Sequence, residues 1–370
     1  MNIHVAETGI VYRNPSPNIW SRQAFFPSVL QAPSGDLLAS FDMGIAMENA
    51  DVRTYLCRSS DEGKTWSQPV RIHEPDCSQS PVSTLGRVSL LRDGTLLALQ
   101  LLCDRSRNEF GLANPKTEGY VETQFCFLKS HDEGRTWSKP KLIMPPLAWN
   151  AFEICSPIIS VSDSRWLLPT SLWRNWDGDC PFGMKAVSFL SDDQGETWHR
   201  TVDVMNLWEQ QTVCWEQKQT ELSDGRRMAV CWCYDYAKNS SLPNRYAFST
   251  DHGESYGPAL ISPLAGETCT PYGLPDNHVL CIYRRVDERG LWAHLACIEG
   301  DTWVPLKDEP LWGTARSSYG LQSSSKVEEM AALRFGYPQL IRLPDGDFFV
   351  VFWCVEECVA QIRWIRLRLQ

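Results

Sequence analysis

The segment Ser59-Ser60-Asp61-Glu62-Gly63-Lys64-Thr65-Trp66 returns as Ser130-His131-Asp132-Glu133-Gly134-Arg135-Thr136-Trp137. It returns again as Leu190-Ser191-Asp192-Asp193-Gln194-Gly195-Glu196-Thr197-Trp198 and as Ser249-Thr250-Asp251-His252-Gly253-Glu254-Ser255-Tyr256. A decayed copy keeps only Asp301, Thr302 and Trp303. The pattern reads as a tight hairpin connection. The Asp carboxylate accepts turn N–H groups, Gly supplies a positive φ, and the aromatic residue returns to the core. One such turn is commonplace; spaced copies are a repeat.

A second series of turns interleaves with the first, at Ser34-Gly35-Asp36, Asp93-Gly94, Asp163-Ser164, Asp224-Gly225, Asp276-Asn277 and Asp345-Gly346. Each separates two apolar, β-branched or aromatic runs, such as RVSLL and TLLALQL, which is the signature of a hairpin. Each unit therefore reads strand, turn, strand, longer loop, strand, Asp-containing turn, strand, with no amphipathic helix between units. Six four-stranded sheets repeated radially make an all-β, six-bladed β-propeller. The expected blades are residues 20–75, 82–145, 152–205, 214–262, 268–312 and 335–370, in one domain over residues 1–370. The last unit lacks the Asp turn, so the run IHVAETGIVYR (3–13) is expected to supply its outer strand and close the ring.

Composition bounds the partners. The 370 residues carry 35 Lys+Arg against 45 Asp+Glu, a net charge of −10, which argues against nucleic acid or an anionic membrane. No run of about 18 apolar residues exists to span a bilayer. The start, MNIHVAETGIVYRNPSPN, has no basic and apolar leader pattern, so a cytoplasmic location is expected. The 14 cysteines fall mostly in apolar runs and read as reduced, buried thiols. No H-E-x-x-H, G-x-S-x-G or phosphate-binding glycine loop is present, so no metal or cofactor is expected. Oligomeric state is left open.

The Asp-containing turns resemble the Asp boxes, or bacterial neuraminidase repeats, of the sialidase superfamily. The resemblance implies a six-bladed propeller whose Asp boxes are structural and lie on the face opposite the active site. Asp61, Asp132, Asp193 and Asp251 are then fold residues. It also implies an exo-acting glycosidase with an arginine triad for the substrate carboxylate, an Asp general acid/base, and a Tyr nucleophile assisted by a Glu. Glu216, in WEQKQTELSDGR, is similar in position to the family's Glu. Asp42 or Asp51, in FDMGIAMENADV, falls where the acid/base Asp is expected, and Tyr337 in FGYPQL resembles the late tyrosine. The first-strand arginine motif is replaced by Phe25-Phe26-Pro27, with Phe25 in the arginine slot, and Trp232 stands where another triad arginine is expected.

With both series of turns on the lower face, the upper face carries the starts of first strands and the ends of second strands. That places Glu216, Glu153, Asp42, Asp51 and Tyr337 among the candidate catalytic groups. Arg22, Arg87, Arg105, Arg174 and Arg284 are candidate anion ligands, because guanidinium groups bind carboxylates bidentately. Trp173 and Tyr234 are candidate stacking surfaces for a sugar ring. The leading expectation is hydrolysis of a terminal, anionic sugar. The alternatives are a non-catalytic glycan- or protein-binding propeller and a lyase acting on uronates, since the fold hosts many functions.

Overall fold

The computed structural model describes residues 2–78, 80–313 and 334–370. Six four-stranded antiparallel sheets follow one another along the chain. Their inner strands are Gln23–Gln31, Val82–Leu90, Ile159–Ser160, Thr212–Glu221, Gly266–Gly273 and Phe335–Arg342. In the sixth sheet the outermost strand is Ile3–Tyr12, which pairs antiparallel with Val359–Leu369 from Ile3↔Leu369 to Tyr12↔Ile362. The expected closure of the ring by the N-terminal strand is therefore observed. The third inner strand is shorter than its sequence suggested. Regular pairing covers only Ile159–Ser160, and Phe152 joins by a single bridge to Leu172.

The second strands are buried on both faces, which explains their unbroken apolar runs. Every residue of Leu37–Gly44 and of Arg227–Asp235 is buried. Their side chains pack between neighbouring blades. Leu99 and Phe127 of the second blade meet Trp166 and Phe189 of the third, and Phe349 and Trp353 of the sixth meet Phe41 of the first.

Each Asp box ties its turn internally. Thr65 donates to Asp61 from both its N–H (2.9 Å) and its hydroxyl (2.6 Å), and Ser59 Oγ accepts from Gly63 N (2.8 Å). The same bonds recur around Asp132, Asp193 and Asp251. The hydroxyl and N–H of Thr65 hold the Asp61 carboxyl down at about 2. The decayed copy forms no such box; Gly300 and Asp301 make a two-residue turn between Glu299 and Thr302. Both series of turns share one face: Ser34 N donates to Glu133 Oε1, and Arg58 pairs with Asp36 at 2.7 Å. The opposite face is left for the long loops. Among the described residues no helix is long and apolar enough to cross a membrane.

Candidate active site

Four inner strands break register near their upper ends, between Phe25 and Ser28, Trp215 and Lys218, Glu267 and Thr270, and Gly336 and Gln339. In each bulge one non-glycine residue takes a left-handed backbone: Phe26 (φ 50°), Glu216 (47°), Thr268 (53°) and Tyr337 (49°). Such conformations cost energy and persist where the surroundings hold them. The bulge turns a side chain that would pack between blades toward the axis instead. All four line one pocket, together with Glu153, Glu267, Arg87, Arg174, Arg284 and a wall of aromatic rings.

Tyr337 is the most constrained group. Its hydroxyl accepts from Arg87 Nε at 2.9 Å and donates to the Cys155 carbonyl. One face of its ring meets the Arg87 guanidinium (4.4 Å) and another cation, the Lys218 ammonium, lies 3.8 Å from the ring centre. Lys218 is buried. Its Nζ donates to Thr270 Oγ1 (2.9 Å) and the Pro338 carbonyl (3.1 Å), so it bonds the fourth blade to the fifth and sixth. Burial pushes its amine down to about 7. Burial pushes the Tyr337 phenol up, opposed by Arg87.

The Glu216 backbone N–H donates to Glu153 Oε2 at 3.2 Å, and Glu216 Oε2 accepts from Trp232 Nε1 at 2.7 Å. Burial, then the charge of Glu216, raises Glu153 to about 8. Burial raises Glu216 as well, opposed by Lys218 and Arg284. Only Glu216 has neighbouring cations that oppose the rise.

Of the other residues singled out from sequence, Arg87, Arg174, Arg284 and Trp173 reach the pocket and five do not. Asp42 lies fully buried behind Arg87, accepting its Nη1 at 2.9 Å along with Thr54 Oγ1 and Gly86 N. It is a counter-ion, and burial raises it to about 6. Asp51 accepts the Ile45 N–H and pairs with Arg22 at 3.6 Å on the outer rim, which removes both. Arg105 points its fork into the carbonyls of Glu48, Asn108, Glu109 and Gly111, which organises a loop and leaves nothing for a ligand. Tyr234 is buried beside Trp215 with its hydroxyl on Asn239. Phe25 packs in the core against Trp353, and it is Phe26 that the first blade's inner strand presents to the pocket.

Glu48, which lies between Asp42 and Asp51 in the sequence and is a second-strand loop candidate like them, lines the pocket; its Oε2 accepts Leu112 N at 2.8 Å. Burial raises it. Glu267, ion-paired to Arg284, and Thr268 come from the fifth bulge and were not visible as pocket residues in the sequence. Tyr272, later on the same strand, packs on Phe348. The only available signal for Lys218 was its place two residues beyond Glu216.

The aromatic wall belongs to the third and fourth blades. Trp173 stacks on Trp215 at 4.5 Å and 9°, and its Nε1 donates to the Glu118 carbonyl.

Comparison with known proteins agrees with the repeat and the fold. A family model described as BNR/Asp-box repeat matches residues 189–200. A sialidase from Micromonospora viridifaciens is 29% identical over 358 residues, covering 88% of this chain and 49% of the relative. The chain is similar to a sialidase and carries Asp-box repeats. It spans about half the length of that relative. Among solved structures, a protein of unknown function from Dyadobacter fermentans superposes on the sialidase-like ring with TM-score 0.76 at 20% identity, covering 100% of this chain and 99% of that one. The NanB sialidase from Streptococcus pneumoniae superposes with TM-score 0.70 at 14% identity, covering 98% and 70%.

Proposed function

We propose that the pocket holds a terminal, anionic sugar and hydrolyses its glycosidic bond, with Tyr337 as nucleophile and Glu216 as its base. The observation that carries the reading is the pair of bulges. They aim Glu216 and Tyr337 into one pocket, where two cations, Arg87 and Lys218, lie against the tyrosine ring and favour negative charge building on its oxygen. Tyr337 Oη attacks the anomeric carbon while its proton passes to Glu216. The bond from that carbon to the leaving oxygen breaks, and that oxygen takes a proton from Glu48. Water then displaces the tyrosine oxygen, giving one proton back to Glu48 while Glu216 returns its own to Tyr337. The raised Glu153 supports this division of labour, because only Glu216 has the cations Lys218 and Arg284 opposing the rise. Glu48 takes the acid role in place of Asp42 and Asp51, since it is the carboxyl of that loop that lines the pocket. We assign the reaction to the cytoplasm, a reducing compartment that suits 14 free cysteines.

The test is turnover of a panel of aryl glycosides and sialosides by the wild-type chain, Glu216→Gln and Tyr337→Phe. Both substitutions are expected to lower kcat by about 100-fold or more. A fluorinated, activated sugar is expected to leave its mass on the peptide containing Tyr337. Undiminished turnover by Tyr337→Phe overturns the nucleophile.

A second reading, a propeller that binds glycans without cleaving them, is favoured by one observation. Arg87 and Arg284 are both engaged by internal carboxylates, Asp42 and Glu267. It is expected to show saturable sugar binding with no product from any glycoside of the panel.

A further inference from the structure

The four cations in and beneath the pocket differ in what holds them. Arg87 is bound by Asp42 and the Tyr337 hydroxyl, and Arg284 by Glu267 and the Phe335 carbonyl. Lys218 is bound by Thr270 and Pro338, beside the charge of Glu216. Arg174 stands apart. Among the described residues its guanidinium forms no ion pair, and its Nε is buried without a hydrogen-bond partner. It lies 4.3 Å over the Tyr236 ring, whose hydroxyl donates to Glu118 at 2.9 Å. The stack fixes the plane of the fork and leaves its donors for a ligand.

Position sharpens this. Arg174 follows the second strand of the third blade, whereas Tyr337 sits on the inner strand of the sixth. In a ring of six those blades face each other across the axis. Beside Tyr337, the first blade offers the apolar ring of Phe26, edge-on at 5.6 Å, and the nearby cations are already matched by acids. A further anion placed there would confront Glu216.

We propose that Arg174 is the anion-reading residue of this pocket, and that the substrate's carboxylate or sulfate is carried on a ring position other than the reacting anomeric carbon. The inference rests on the glycosidase reading above and narrows its substrate class. The sugar ring lies along the Trp173–Trp215 wall, its reacting carbon toward Tyr337 and its charged substituent toward Arg174.

Binding of free sugars to the full chain, followed by tryptophan fluorescence and calorimetry, tests it. The probes are glucuronate against glucose, galacturonate and galactose 6-sulfate against galactose, and N-acetylneuraminate against its methyl ester. A uronate or the sulfated sugar is expected to bind about tenfold or more tighter than its neutral parent, as a charge-assisted fork contact gives. Whether a uronate or the sulfate wins separates the two anions. Arg174→Met is expected to bring charged and neutral partners to parity without weakening the neutral one, and Arg174→Lys to keep part of the preference. A preference that survives Arg174→Met overturns the proposal. So does N-acetylneuraminate exceeding its methyl ester tenfold in both proteins, or sugar binding with no charge preference in the wild type. If no sugar binds and no aryl glycoside or sialoside is cleaved, the glycosidase reading itself falls and takes the inference with it. Melting temperatures of both variants within a few degrees of wild type certify the fold.

Discussion

Glu153 carries a measurable signature of its burial. Its carboxyl is lifted from an ordinary 4.5 to about 8, chiefly by burial and next by Glu216. A raised acid stabilises the folded chain fully below its unfolded value and loses that contribution as pH climbs through the folded one. Stability from this group is therefore complete near pH 4 and gone above about pH 8. Glu153→Gln, which keeps an acceptor for the Glu216 N–H, is expected to melt within error of wild type at pH 5 and several degrees higher at pH 9. Identical pH curves for the two proteins would place the Glu153 carboxyl in contact with water. At this scale the sequence identified groups better than it identified neighbours. Glu216, Glu153, Tyr337, Arg87, Arg174, Arg284 and Trp173 could be named because each sits at a strand end whose direction follows from the repeat. Asp42, Asp51, Arg22, Arg105 and Tyr234 met the same criterion yet turn elsewhere. Their direction depends on loop hydrogen bonds, such as the four carbonyls that capture Arg105, which no periodicity encodes.

Among the elements, the Asp box and the bulge contrast in legibility. The box is a local device: its bonds link residues two to four apart, so a sequence pattern contains nearly all of it. The bulge is not local. It shows only as a register slip against a partner strand, which is why Thr268 and Phe26 were missed as pocket residues. Even the box has a tertiary component. A methyl group on Gly63 would lie 2.8 Å from the Phe349 ring of the neighbouring sixth blade, whereas one on Gly225 meets nothing within 4 Å. Both glycines have positive φ, 92° and 86°. Gly63→Ala is therefore expected to lower Tm clearly more than Gly225→Ala, which carries the backbone cost alone, about 1 kcal/mol. Equal losses in the two variants would reduce the box to a turn with no part in blade-to-blade packing.

For the whole molecule, the ring depends on one non-local seam. Ile3–Tyr12 supplies the outer edge of the blade whose inner strand presents Tyr337. Removal of residues 2–12 is expected to lower Tm, to expose Val359–Leu369 to proteolysis, and to reduce sugar binding although no pocket residue is deleted. Unchanged binding and protease resistance would mean that the other five blades hold the sixth unaided. The seam also orders events in time. Within the ring, the strand made earliest waits for the one made latest, and so it must remain unmated while the other five blades are synthesised. Slow production near Val359–Leu369 thus prolongs a window in which two raw edges can find strangers before they find each other. Misassembly of the ring should accordingly depend on how fast Val359–Leu369 emerges after the rest of it.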